Sequence, residues 1–171
     1  MLQIYCGNGK GKTTASLGLA LRGAGCNMKV HIVQLMKGNE SSEFHSLKFV
    51  PNITIQRCDK HYGFTSDMTL QQKVELTQCH NTLLQNAQTL LQLHHTDMLI
   101  LDEFNVAYEH ALLDRQFADT LIFNRPADIE LILTGRNPNP KFLEIADYIS
   151  EITAVRHPFE KGIKARKGIE F

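Results

Sequence analysis

The chain has 171 residues, 43% of them hydrophobic and 21% charged, with 18 Lys plus Arg balanced by 18 Asp plus Glu. That length suits a single domain, 1–171, whose core needs no staples. The zero net charge counts against a dedicated nucleic-acid binder, and the apolar content excludes a disordered or collagen-like chain.

No apolar run approaches the roughly 20 residues needed to span a bilayer. Met1-Leu2-Gln3-Ile4-Tyr5-Cys6 has no basic or cleavable leader pattern. Cys6, Cys26, Cys58 and Cys79 are scattered, with no Cys-x-x-Cys pair. Neither a zinc knuckle nor a disulfide framework is expected, and the compartment reads as a reducing cytoplasm, with no membrane and no nucleic-acid partner.

Leu2 to Cys6 predicts a short buried strand, and Gly7 to Gly11 a loop. Lys12 to Ala24 predicts a helix with Leu17, Leu19, Ala20 and Leu21 apolar, stopped by Gly25 and Asn27. Lys29 to Met36 predicts a second strand leaving through Lys37-Gly38-Asn39, and Ile53 to Gln56 a short third one. Cys58 to Met68 reads as a loop containing Tyr62-Gly63-Phe64. Thr69 to His95 is the longest helical candidate. Thr69 and Gln72 form its capping box, and Leu70, Val74, Leu83, Ala87, Leu90 and Leu91 form one apolar stripe.

Asp97 to Asp102 and Ile129 to Thr134 are nearly continuous apolar runs, the pattern of parallel strands buried on both faces. Phe142 to Asp147 predicts a short helix and Tyr148 to Val155 a last strand. His157 to Phe171 is a basic tail carrying Lys161, Lys164, Arg166 and Lys167. Alternating strands and helices predict an α/β domain with a mostly parallel sheet flanked by helices.

The strongest chemical signal is Gly7-Asn8-Gly9-Lys10-Gly11-Lys12-Thr13-Thr14, placed between a predicted strand and a predicted helix. This is the context of a P-loop, and it makes the fold P-loop NTPase-like. Backbone N–H groups of such a loop converge on phosphate oxygens, and the helix N-terminus adds a positive dipole end. Lys12 would reach the phosphates and the Thr13 hydroxyl would ligate Mg²⁺. The usual pattern has a further glycine five positions before Gly11, where this chain has Cys6.

Asp102-Glu103 closes an apolar strand, where an acid in P-loop folds helps to hold Mg²⁺. The plain alternative is that Asp102 caps the next helix. Thr134-Gly135-Arg136 closes another strand, and Arg136 is a candidate for phosphate contact. Cys79-His80 and His94-His95 look like ligand pairs. Adjacent helical residues diverge by about 100°, so these histidines are read as surface or partly buried instead.

Taken in order, these segments resemble the P-loop class of ATP:corrinoid adenosyltransferases over almost the whole chain. The resemblance is carried by Gly7 to Ala15, Leu19-Ala20-Leu21-Arg22, Val33 to Gly38, Gly63-Phe64-Thr65, Leu101-Asp102-Glu103, Thr134-Gly135-Arg136, Ala146-Asp147 and Gly168 to Phe171. It implies that Co(I) of a corrinoid attacks the 5′ carbon of ATP and that triphosphate leaves.

It further implies that Gly7, Asn8, Gly9, Lys10, Gly11, Lys12, Thr13 and Thr14 hold the triphosphate, and that Thr13 and Glu103, with Asp102, hold Mg²⁺ or Mn²⁺. Lys12, Thr13 and Glu103 would be the catalytic set, with Gln34, Lys37 and Arg136 as further contacts and Phe64 on the corrin face. The implied partners are ATP, a corrinoid, a flavoprotein reductant for cobalt and a second copy in a homodimer. The sequence departs from its relatives in two places. They carry an N-terminal extension over the site, and some have Trp where this chain has Ser66.

Overall fold

The computed structural model describes residues 1–36, 42–60, 62–63 and 65–169. Among them lie six strands: β1 (Leu2–Cys6), β2 (Val30–Gln34), β3 (Ile53–Arg57), β4 (Met98–Asp102), β5 (Glu130–Thr134) and β6 (Tyr148–Glu151). All pair in parallel in the order β3-β2-β4-β5-β1-β6. The helices are α1 (Lys12–Gly25), α2 (Ser42–Leu47), α3 (Leu70–Gln92), α4 (Phe104–Glu109), α5 (Arg115–Phe123) and α6 (Pro140–Leu143).

The continuous apolar runs follow from a sheet covered on both faces. In β4, Leu99 and Leu101 join a core with Leu84, Ala87 and Leu91 of α3 and with Phe104, Ala118 and Ile122. Met98 and Ile100 point the other way, into a core with Ala20 and Ala24 of α1 and Leu47 of α2. Because successive residues alternate faces, the four apolar positions Met98 to Leu101 serve two cores at once.

Several expected elements change. Val30–Gln34 is shorter than predicted, because Met36 takes a left-handed φ of 60° and turns the chain out of the ladder. The last strand stops at Glu151 rather than Val155. The predicted helix 142–147 lies earlier, at Pro140–Leu143, where the Asn139 side chain caps it and proline occupies the first turn. Residues 104–123, given no element by sequence, hold α4 and α5. The Thr69–Gln72 capping box is present as predicted. The predicted stripe of α3 holds in its second half, where Leu83, Ala87 and Leu91 are buried and Leu90 is half-buried, but Leu70 and Val74 are exposed, and Leu76, His80 and Leu84 join the buried face instead.

Two residues of α3 overturn expectations. Cys79 is joined to Cys58 by a disulfide, whereas no bridge was expected. Their 21-residue separation carries no pattern, and the pair meets only because α3 packs against the exit of β3. His80 is wholly buried rather than on the surface or partly buried. Its Nδ1 lies 2.7 Å from the Leu112 carbonyl, so that nitrogen carries the proton, and Nε2 accepts the Met36 N–H at 3.3 Å.

His31 gives the fold an acid limit. It lies within β2, 2% exposed, with Nδ1 2.7 Å from Thr54 Oγ1. Burial pushes its pKa from 6.5 to about 4. A depressed histidine binds its proton more tightly in the unfolded chain, so its contribution to stability is present above pH 6.5 and drains away as pH falls toward 4. The full loss is about 3 kcal/mol. Chemical denaturation at pH 7.5 and pH 4.5 is expected to show this drop, and His31→Gln is expected to shrink it. An equal drop in both proteins would assign the acid sensitivity elsewhere.

Candidate nucleotide site

The site forms where β1, β4 and β5 end side by side. Cys6 is the last residue of β1, paired beside Glu151 and 7% exposed. A strand residue with its side chain buried requires no glycine, which accounts for the departure at this position. The turn begins at Gly7, whose φ is 95° and where an added Cβ would stand 2.5 Å from the Ile152 carbonyl oxygen. A Cβ at Gly9 would stand 2.7 Å from the same oxygen, which accepts the Gly9 N–H at 2.7 Å. The loop therefore rests directly on the chain leaving β6. Asn8 tightens this seat by accepting the Ala154 N–H on its side-chain oxygen at 2.9 Å.

Gly11, with φ 119°, precedes α1. Lys12 and Thr13 are half-buried, while Lys10 and Thr14 are exposed at the mouth. Lys12 Nζ donates to the Gly9 carbonyl at 2.7 Å, so the loop wraps around its own lysine. Burial lowers the Lys12 pKa; Glu103 opposes that shift, and Arg136 reinforces it. Glu103 and Asp102 from one segment and Arg136 from another thus all lie close enough to act electrostatically on Lys12. Arg136 itself is exposed, one residue past the Gly135 turn.

The two acids differ in kind. Asp102 is fully buried, and its carboxylate accepts from Thr13 Oγ1 at 2.9 Å, Thr134 Oγ1 at 2.7 Å and Gln34 Nε2 at 3.0 Å. It ties the loop to β5 and β2. Glu103 is half-buried and takes a left-handed backbone, φ 59° and ψ 21°, as the residue before α4. The cap of α4 is therefore Glu103, not Asp102, and no side chain closes it. Thr134 was quoted in sequence only as the start of the motif ending in Arg136. The available signal was a polar residue ending an apolar run, as Asp102 also does.

The donors fit a hard divalent cation: a hydroxyl on Thr13 and carboxylates on Glu103 and Asp102. Among the described residues no group of three His, Cys, Asp or Glu side chains forms a metal cage.

Phe64 and Lys37 lie outside the described residues. The segment leading to Phe64 is anchored on α3. Lys60 Nζ at 2.8 Å, Tyr62 Oη at 2.6 Å and Gln71 Nε2 at 2.9 Å all donate to Glu75, and these bonds hold its carboxyl down at about 2. Ser66 is exposed and donates to Asp67. His94 and His95 are exposed, and no helix among the described residues is long and apolar enough to cross a membrane.

The family profile described as ATP:corrinoid adenosyltransferase BtuR/CobO/CobP matches residues 1–171. A corrinoid adenosyltransferase of Pseudomonas aeruginosa is 35% identical over 175 residues, covering 100% of this chain and 83% of that protein. One from Escherichia coli K12 is 35% identical, covering 98% and 84%. The corrinoid adenosyltransferase CobA of Salmonella typhimurium is 32% identical, with the same coverage, 98% and 84%. In structure, the cytoplasmic domain of EssC superposes with a TM-score of 0.56 at 16% identity, over 97% of this chain and 33% of that one, which is a likeness of fold alone.

Proposed function

This chain belongs to the ATP:corrinoid adenosyltransferase family, and from that premise we propose that it transfers the 5′-deoxyadenosyl group of ATP to the Co(I) of a corrinoid, either cob(I)alamin or cob(I)yrinic acid a,c-diamide. The cobalt electron pair forms the Co–C bond, the bond from C5′ to the α-phosphate oxygen breaks, and triphosphate departs with the two electrons of that broken C–O bond. Corrin chemistry supplies the nucleophile, and the protein supplies position and charge. The observation that carries this reading is a phosphate loop seated on β6, joined through Asp102 to β5 and β2, within a chain that matches the family over its whole length.

Each part of the site has a task in this scheme. The N–H groups of residues 8 and 10–14 and the Lys12 ammonium would face an anion that gains charge as it leaves, where preorganised donors act most strongly, while the Gly9 N–H is given to the Ile152 carbonyl and braces the loop. Thr13 and Glu103 would hold Mg²⁺ or Mn²⁺, which when bound neutralises the triphosphate. Asp102 orients Thr13. Arg136 adds positive charge at the mouth. Phe64 is assigned to the corrin face. A flavoprotein as cobalt reductant, a homodimer and a cytoplasmic location complete the reading.

The test is to incubate the protein with ATP, Mg²⁺ and chemically reduced cob(I)alamin and to follow phosphorus NMR and the corrin spectrum. Inorganic triphosphate is expected in one-to-one yield with a light-sensitive Co–C product, with little ATP hydrolysis when corrinoid is left out. ADP accumulating without corrinoid, and no Co–C product, would leave a phosphate-transferring or hydrolysing enzyme instead.

A further inference from the structure

The end of β5 does more than close a strand. Thr134 is fully buried, and its hydroxyl is used in both directions. It donates to Asp102 Oδ1 at 2.7 Å and accepts the Glu103 N–H at 2.9 Å. A hydroxyl has one proton and two lone pairs, so one oxygen serves both neighbouring acids. Giving its proton to an anion also makes it a better acceptor for the Glu103 N–H.

Glu103 needs such a hold. A left-handed backbone at a non-glycine residue is strained and persists only where the surroundings enforce it. The surroundings here are Thr134 and the turn after it. Gly135, with φ 134°, is packed so closely on α4 that an added Cβ would meet the Asn105 Cβ at 2.9 Å and the Asn105 nitrogen at 3.1 Å. Gly135 N–H donates to the Tyr5 carbonyl at 3.2 Å, which ties the same turn to the strand that carries the loop. β5 lies between β4 and β1, so Thr134 sits at the seam between the acids and the phosphate loop.

We propose that Thr134 is a positioning residue that, through this one hydroxyl, fixes the backbone of Glu103 and the carboxylate of Asp102 for metal-bound nucleotide. The inference rests on the nucleotide-and-metal reading of the loop, but not on the identity of the adenosyl acceptor. Thr134→Val keeps the shape and removes both hydrogen bonds, whereas Thr134→Ser keeps the hydroxyl.

Three readouts separate positioning from packing: Mg²⁺ dependence of ATP binding by calorimetry without corrinoid, exchange protection of the Glu103 amide in metal-free protein, and adenosyl transfer to cob(I)alamin. Thr134→Val is expected to raise the Mg²⁺ concentration for half-maximal ATP binding by about tenfold or more, the scale for losing a group that orients a metal ligand. It is also expected to lose protection at Glu103 and to slow transfer, while Thr134→Ser stays close to wild type in all three. If the valine variant does not fold, Thr134→Cys, a weak donor and acceptor, takes its place. A lowered melting temperature with unchanged Mg²⁺ dependence would overturn the proposal and leave Thr134 a core residue. If Mg²⁺ dependence shifts as expected while even the wild-type protein transfers nothing to cobalt, the positioning role stands and the adenosyltransferase reading falls.

Discussion

Lys12→Ala is expected to slow adenosyl transfer by at least about tenfold, a loss of roughly 1.4 kcal/mol or more of transition-state stabilisation. The ammonium sits inside the loop, 2.7 Å from the Gly9 carbonyl, on the half-buried first turn of α1. Burial weakens its hold on the proton, while the Glu103 carboxylate supports the charged form. Triphosphate brings far more negative charge than either acid, so the lysine is expected to stay charged and to exchange the Gly9 carbonyl for phosphate oxygens. Its hydrogen bond is to a loop carbonyl, so the variant should fold and melt nearly as the wild type does. Single-turnover rates with cob(I)alamin at saturating and subsaturating ATP check this, and near-normal rates at both would remove Lys12 from the site.

The second large effect separates the two acids. Asp102→Ala leaves the buried donors of Thr134 and Gln34, and the half-buried hydroxyl of Thr13, without their carboxylate. Each orphaned buried donor costs about 1–3 kcal/mol, so a total near 3 kcal/mol is a conservative expectation. In a chain of this size that corresponds to a melting temperature roughly 6–12 °C lower. Glu103→Gln keeps the backbone bond to Thr134, because that bond uses the main-chain N–H. It should melt close to wild type yet demand more Mg²⁺ for ATP binding. Calorimetric melting beside Mg²⁺ titration reads both quantities. If Glu103→Gln keeps wild-type metal dependence while a folded Asp102→Asn loses it, the metal role belongs to Asp102.

The contrast between these acids shows where sequence reading stops. Asp102 and Glu103 are adjacent and both end an apolar run, so their order alone cannot assign them different work. Their division comes from backbone geometry: Asp102 is still in the β4 ladder, facing the core, and Glu103 has left it in a left-handed turn. Asn8 is similar. As one residue of a phosphate loop it reads as a phosphate contact, yet its side chain braces Ala154, 146 positions away. In α3 the capping box was legible because it spans four residues, and the buried face was legible at Leu83, Ala87 and Leu91. The start of that face was not, because Leu70 and Val74 precede the point where the helix meets the sheet.

The sequence by itself determined the glycine-rich loop between strand and helix, the alternation that makes the sheet parallel, and the acids closing β4. Each is local: glycine at a positive φ, strand period, helix caps and apolar runs are set by a few neighbouring residues. Only the tertiary structure decided the seating of the loop on Ile152, the burial of His80 between Met36 and Leu112, the Cys58–Cys79 bridge and the joining of both acids through Thr134. Those contacts bring together residues from separate strands and helices. Their energy depends on burial and on hydrogen-bond geometry across the sheet, and neither is encoded in the spacing of residues along the chain.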